Sequence, residues 1–553
     1  MAGEVFDYVI VGSGSAGSVL ANRLSARPEI RVLVLEAGPK DHWWNWKIHM
    51  PAAFAYPLAD DKVNWYYHTE PEPFMNGRSM YCPRGRVLGG SSSINGMVYI
   101  RGHARDYDRW AQAGNRGWSY AEVLPYFKRA EHRVKGADAY HGTGGPLWVS
   151  SQNTFPPLYQ AWIEAAKQAG YPVTADVNGY QQEGLGPYEM TTRKGRRWSA
   201  ARAYLHPAMK RPNLTVQSGA LTLRLLFEGK RAAGVEYAVG GEVRRARAER
   251  EVIVCGGSIN SPQILMLSGI GDADELKKFG IPVVQHLPGV GQNLQDHIET
   301  YVQMECLKPI TLYGRYNLWG KLRTGAEWLF FGTGWGASNH FEAGGFIRSR
   351  AGVEHPDLQY HFFPMAISYD GSQTQAGHGF QAHMGPMRPT SRGWVKLASA
   401  DPRAKVRILF NYMSTEQDRQ EMRAGVRLTR EIFAQKAFDS LRGRELAPGP
   451  EVKSDAEIDA FIRAKAESAF HPSCSCKMGT DPMAVVDPEL KVHGLEGIRV
   501  VDASIMPNVV SGNLNAPVIM IAEKAADLIL GNPPLPPSDA PVYINPNWAT
   551  SQR

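Results

Sequence analysis

Four apolar residues near the start, Tyr8-Val9-Ile10-Val11, suit a buried strand. A glycine turn follows, Gly12-Ser13-Gly14-Ser15-Ala16-Gly17, and then a helical pattern from Ser18 to Leu24. Arg31-Val32-Leu33-Val34-Leu35 is a second apolar run, ending in Glu36. Strand, glycine turn, helix, strand and acid in this order form a dinucleotide-binding fingerprint. Gly12 permits the tight turn. Gly14 lets backbone N–H groups approach a pyrophosphate at the helix N-terminus, and Gly17 lets the helix lie close to the strand. Glu36 is placed to accept a hydrogen bond from a ribose hydroxyl. An ordinary βαβ turn is the competing reading; the strands and the acid in register favour the nucleotide site.

Beyond Glu36, about 70 residues rich in Trp, Pro and Gly predict a long ordered excursion. Leu214 to Val254 alternates apolar and polar positions, with turn signals at Glu228-Gly229 and Gly240-Gly241, and predicts hairpins. Glu251 to Gly257 reads as a buried strand running into glycines, with a helix from Ser261. Residues 309–480 mix strands and helices without a second fingerprint. Ile498 to Ala503 predicts a strand, Ala516 to Leu530 a helix, and the Pro-rich end a surface segment. The fold class is α/β: a Rossmann-type cofactor domain interrupted by an α+β substrate domain. The expected limits are 1–155, 211–308 and 484–535 for the cofactor domain, 156–210 and 309–483 for the substrate domain, and 536–553 for the tail.

A chain of 553 residues exceeds one hydrophobic core. No run of about 18 apolar residues occurs, so no spanning helix is expected. The N-terminus has neither a basic region nor a cleavage site, which points to the cytoplasm. Five scattered cysteines fit a reducing compartment. Cys474 and Cys476 form CxC beside His471, but no second ligand pair stands at zinc spacing, so no metal is expected. Lys plus Arg exceed Asp plus Glu by 61 − 54 = 7. The short basic clusters at 194–197 and 244–247 read as solvated surface. They leave room for peripheral contact with the cytoplasmic face of the cell membrane. No nucleic-acid motif accompanies the charge.

Three further motifs carry a family resemblance. Gly85-Arg86-Val87-Leu88-Gly89-Gly90-Ser91-Ser92-Ser93-Ile94-Asn95-Gly96 resembles the first signature of the glucose–methanol–choline (GMC) oxidoreductases. Gly257-Ser258-Ile259-Asn260-Ser261-Pro262, continuing to Gly271, resembles their second. His471-Pro472 with Asn515 is similar to their catalytic pair. Longer strings resemble the choline-oxidising bacterial members: TEPEPFMN (69–76), SNHFEAGGFIRSR (338–350), QYHFFP (359–364), VVDASIMP (500–507) and GNLNA (512–516). The resemblance implies the GMC type of FAD/NAD(P)-binding fold, with FAD as cofactor and an inserted antiparallel-sheet substrate domain. It implies oxidation of choline to betaine aldehyde and leaves open a second step to glycine betaine, an osmoprotectant. Oxygen and a quinone-linked chain both stay open as electron acceptors.

Carried over residue by residue, the resemblance assigns FAD contacts to Gly12, Gly14, Ser15, Ala16, Gly17, Glu36, Ala37, Arg86, Val87, Gly90, Asn95, Gly96, Val98, Thr222, Asp502, Ala503 and Asn515. His471 is the expected base, since an imidazole titrates near neutral pH. Asn515 stands where many relatives carry a second histidine; an amide orients and donates but is no base. Glu342 matches the carboxylate set against the trimethylammonium head, with Trp65, Phe341, Tyr360 and Phe362 as candidate cage walls. His361 matches a second active-site histidine. Ile94 replaces the histidine that binds flavin covalently in some relatives, so FAD is expected to be non-covalent. Gly96 replaces a serine of choline-oxidising oxidases, which weakens the case for an oxidase-type site. The rival reading is a GMC oxidase or dehydrogenase for a neutral primary alcohol. Glu342 argues against it, because an unpaired buried carboxylate facing a neutral substrate is costly.

Overall fold

The first apolar run is the centre of a parallel ladder. In the computed structural model, which describes residues 4–151, 156–368 and 377–553, it extends over Glu4–Val11. It pairs in parallel with Val32–Glu36 on one side and Glu242–Val254 on the other. Leu214–Ser218 joins beyond Val32–Glu36, and Ile498–Val500 beyond Glu242–Val254, both in parallel. Val9, Ile10, Val252 and Ile253 are fully buried. Parallel strands covered on both faces read as unbroken apolar runs, as these do.

The hairpins expected between 214 and 254 are present as Ala220–Glu228, Arg231–Val239 and Glu242–Val254, antiparallel to one another. Leu214–Ser218 departs from that expectation and completes the parallel ladder. Gly219, with φ +68°, turns the chain between the two arrangements. Helices begin earlier than the apolar periodicity suggests: Ser15–Leu24, Gly257–Leu267 and Asn515–Leu530. The added first-turn residues Ser15, Gly257, Ser258 and Asn515 are polar or glycine and line the cavity.

A second sheet is antiparallel, ordered Arg442–Ala447, Ile298–Cys306, Gly379–Pro386, Leu358–Phe363, Ala343–Ile347 and Gly184–Pro187. Ile298–Cys306, which the expected limits place in the cofactor domain, is an inner strand of this sheet. The limit at 155 lies outside the described residues. Strand alternation divides the sheet. Tyr360, Phe362 and Phe380 pack with Trp162 and Phe433 of the helices Pro157–Gln168 and Glu416–Phe433. Glu299, His361, Phe363 and His383 face a large cavity. From 531 onward the chain is irregular, tied to the surface by Tyr543 N–H on Tyr180 O and Gly352 N–H on Trp548 O.

Candidate active site

The carboxyl ends of Glu4–Val11, Val32–Glu36, Glu242–Val254 and Ile498–Val500 open on one edge of the parallel sheet, where such folds bind nucleotides. A cavity of about 1850 Å³ runs from that edge to the second sheet. Gly12, Gly14, Ser15, Ala16, Glu36, Ala37, Gly90, Asn95, Gly96, Val98, Thr222, Asp502, Ala503 and Asn515 line it.

The glycines act as the fingerprint requires. A Cβ on Gly12 would lie 2.5 Å from Cys255 O, and one on Gly17 would lie 1.9 Å from Gly12 O. A Cβ on Gly14 would meet only Gly90 Cα, at 3.9 Å, so its backbone is open to the cavity. Glu36 accepts from Ser13 N and Oγ and from Gly38 N, at 3.0, 2.7 and 2.8 Å. Burial pushes its pKa up, against those hydrogen bonds. Asp502 accepts from Gly257 N, Ser261 Oγ and Ser504 N, and so holds the start of Gly257–Leu267. Thr222 Oγ1 is buried without a partner and lines the same cavity. A backbone cradle at a helix N-terminus, a buried acid and an orphaned hydroxyl form a donor and acceptor set that fits FAD.

Three expected contacts are placed differently. Gly17 packs against the strand turn and does not face the cavity. Val87 is buried in a small cluster with Ile48, Val63 and Ile94. Arg86 lies under Trp65, its guanidinium 5.1 Å from the ring centroid. Trp65 also lines the cavity and stacks on Tyr67.

His471 stands where the two sheets meet. Its backbone N–H donates to Asp296 Oδ1 at 2.7 Å. His297 Nε2 lies 3.1 Å from Met387 O, an atom that only accepts, so Nε2 carries the His297 proton. His297 Nδ1 therefore accepts, and His471 Nδ1, 3.0 Å away, donates. The lone pair of His471 is left on Nε2, where Asn513 Nδ2 donates at 3.0 Å. Burial holds the His471 pKa well below its ordinary value, helped by His297, His361 and Arg84. Burial also lowers His297 to about 4. Both rings are neutral at pH 7, and His471 is a base with its free nitrogen fixed by its neighbours.

Asn515 lines the cavity, but its Oδ1 accepts from Ser15 Oγ at 2.8 Å; the direct partner of His471 is Asn513. His361 lines the cavity and accepts from Gln359 Nε2 at 3.3 Å. Glu342 is not on the cavity wall. It is 6% exposed, its carboxylate bonded to Ser338 and set near Tyr159, and burial raises its pKa. Tyr360 and Phe362 lie on the helix-covered face and wall no cage, whereas Phe341 does line the cavity. Cys474 and Cys476 are fully buried, and burial pushes the Cys474 thiol up to about 12.

Sequence reasoning missed Asp296, His297, Glu299 and Asn513. Asn513 stands two residues from Asn515 inside GNLNA, so the amide pair was the available signal. His297 reaches His471 across 174 residues with no local pattern to mark it.

Two family profiles, both described as GMC oxidoreductase, match residues 6–299 and 389–522. The chain is a GMC oxidoreductase. The oxidoreductase is 58% identical over 557 aligned positions to "Choline dehydrogenase, mitochondrial" of Mus musculus, covering 100% of this chain and 93% of that protein. It is 57% identical over 549 positions to "Oxygen-dependent choline dehydrogenase" of Brucella anthropi, covering 99% and 100%. Among solved structures, pyridoxine 4-oxidase from Mesorbium loti matches with a TM-score of 0.87 at 33% identity, over 96% of this chain and 100% of that one. Formate oxidase matches with a TM-score of 0.90 at 26% identity, over 96% and 99%. FAD is the cofactor of this GMC oxidoreductase.

Proposed function

We propose that the oxidoreductase converts choline to betaine aldehyde. The observation that carries this is a neutral His471, its lone pair on Nε2, at the junction of the cofactor cradle and the substrate sheet, in a chain similar over its full length to proteins named choline dehydrogenase. His471 Nε2 takes the proton of the substrate hydroxyl. Asn513 donates beside it and holds the oxygen in place as charge develops. FAD, when bound, accepts the two electrons and the hydrogen that leave the alcohol carbon. Asp296 fixes the backbone at His471.

The test is anaerobic addition of choline to the yellow holoenzyme, read as loss of flavin absorbance. Bleaching supports the assignment. Bleaching by benzyl alcohol and not by choline would transfer the enzyme to the neutral-alcohol class, a reading that the position of Glu342 favours. Re-oxidation by oxygen or by a soluble quinone then decides the acceptor. Peripheral membrane contact belongs to the same proposal. No helix among the described residues is long and apolar enough to cross a membrane. However, the helix Leu318–Phe331 lines part of the cavity, with its Lys321 and Phe330 on the wall together with Lys47, and its Trp319, Phe330 and Phe331 are 80%, 76% and 76% exposed. Exposed aromatics with cations suit an anionic lipid surface. Co-sedimentation with phosphatidylglycerol vesicles, lost in Trp319→Ser with Phe330→Ser, would support it.

A further inference from the structure

Gln359 sits on the strand Leu358–Phe363, two residues before His361 and on the same face. It is 1% exposed. Its Nε2 lies 3.1 Å from Asn513 Oδ1 and 3.3 Å from His361 Nε2. Its Oε1 is buried without a partner. A glutamine amide brings two hydrogens and one acceptor oxygen. Here both hydrogens are used and the oxygen is left unmet, a costly way to bury the group. The fold keeps Gln359 as a donor.

The direction of that donation follows from the far end of a hydrogen-bonded chain. Met387 O only accepts, which puts the His297 proton on Nε2 and the His471 proton on Nδ1. The Asn513 atom 3.0 Å from the His471 Nε2 lone pair is therefore Nδ2. Asn513 Oδ1 is left facing Gln359, where only an N–H can answer it. One unbroken direction of donation runs from Gln359 through Asn513, His471 and His297 to Met387.

Turned over, Asn513 would present its carbonyl oxygen to His471 Nε2. Two lone pairs would meet unless that nitrogen held a proton, and a protonated Nε2 is no base. The same turn would set the carbonyl oxygen, in place of Nδ2, beside a substrate oxygen that is gaining negative charge. The backbone does not prevent the turn. Asp106 accepts from Ser511 N and Oγ at 2.7 and 2.9 Å, which fixes where the segment stands but not which end of the Asn513 amide faces His471. We propose that Gln359 is a positioning residue: it sets the Asn513 amide and so keeps the His471 lone pair free for the substrate hydroxyl. This rests on the reading of His471 as the base.

The experiment compares Gln359→Met, Gln359→Ser, Asn513→Ala and the double variant Gln359→Met with Asn513→Ala. Each is read as the rate of flavin bleaching by choline without oxygen, with FAD content and thermal midpoint as controls. Gln359→Met keeps the volume and removes the donor. Bleaching is expected to slow about 5- to 150-fold, the range for one buried hydrogen-bonding group left unmet. The choline concentration at half-saturation should change little. Gln359→Ser leaves room for a water that donates to Asn513 Oδ1, so its loss should be smaller although it disturbs packing more. In the Asn513→Ala background Gln359→Met should cost less than about 2-fold, because its target is gone. Three results would each overturn the proposal: a Met variant at wild-type rate, a Ser variant slower than the Met variant at equal FAD content, or an undiminished Met loss in the Asn513→Ala background. If choline failed to bleach the wild-type flavin, the choline reading would fall instead. The same comparison on the alcohol that bleaches it would still decide the role of Gln359.

Discussion

His297 offers the sharpest test of the proposed base. Its Nε2 is committed to Met387 O, so its Nδ1 accepts the His471 Nδ1 proton and leaves the His471 lone pair on Nε2. His297→Phe keeps a ring of similar size and removes the acceptor. The active tautomer of His471 then carries a buried N–H without a partner. Such a group costs about 1–3 kcal/mol. At 1.36 kcal/mol per decade this corresponds to about a 5- to 150-fold fall in kcat/KM, as His471 turns or changes tautomer. Asn513 still donates to Nε2 and limits the loss.

His297→Gln places a carbonyl oxygen near the lost nitrogen and should recover part of the rate. Steady-state choline oxidation across pH 5–9 separates this from mere damage. The fall should appear in kcat with little change in KM. FAD content and thermal midpoint are the controls, since a purely structural role would lower them in both variants alike. A Phe variant with full activity, or a Gln variant no better than Phe at equal FAD content, would refute the tautomer argument.

His471→Ala should keep its FAD and lose about 10²–10⁴-fold in turnover, the usual contribution of a general base; a variant with full FAD and near-normal turnover would remove His471 from that role. Ile94 offers no nucleophile at the cradle, so acid precipitation should leave the yellow chromophore in the supernatant, and a coloured pellet would contradict non-covalent binding. Burial lowers both His297 and His340 to about 4. An unfolded histidine, near 6.5, takes up a proton first as pH falls, so stability is lost from pH 6.5 downward. Down to pH 5 this is about 2 kcal/mol per histidine at 1.36 kcal/mol per unit, and denaturant midpoints that agree at pH 7 and pH 5 would refute it.

The parts of the site written in consecutive residues were legible in the sequence; those written across strands were not. Gly12 to Glu36 carries its own geometry, because a tight turn, a helix start and an acid at a strand end are local events. The hairpins from 220 to 254 were readable for the same reason. Leu214–Ser218 was not, because an alternating strand beside a hairpin looks like one more arm of it until its parallel partner is known. The substrate face shows the limit most clearly. In Gln359-Tyr360-His361-Phe362-Phe363 a period of two puts Tyr360 and Phe362 on one face and His361 and Phe363 on the other. The expectation that Tyr360, His361 and Phe362 all face the substrate conflicted with that period, and the pattern was already in the sequence. Glu342 is a different case. The strand begins at Ala343, so alternation says nothing about the residue before it, and its carboxylate turns towards Ser338 and Tyr159. A motif can name a carboxylate without stating which side of the sheet it serves. Glu299 lies inside a strand and alternates in step with His297, so the ladder fixes which side it faces.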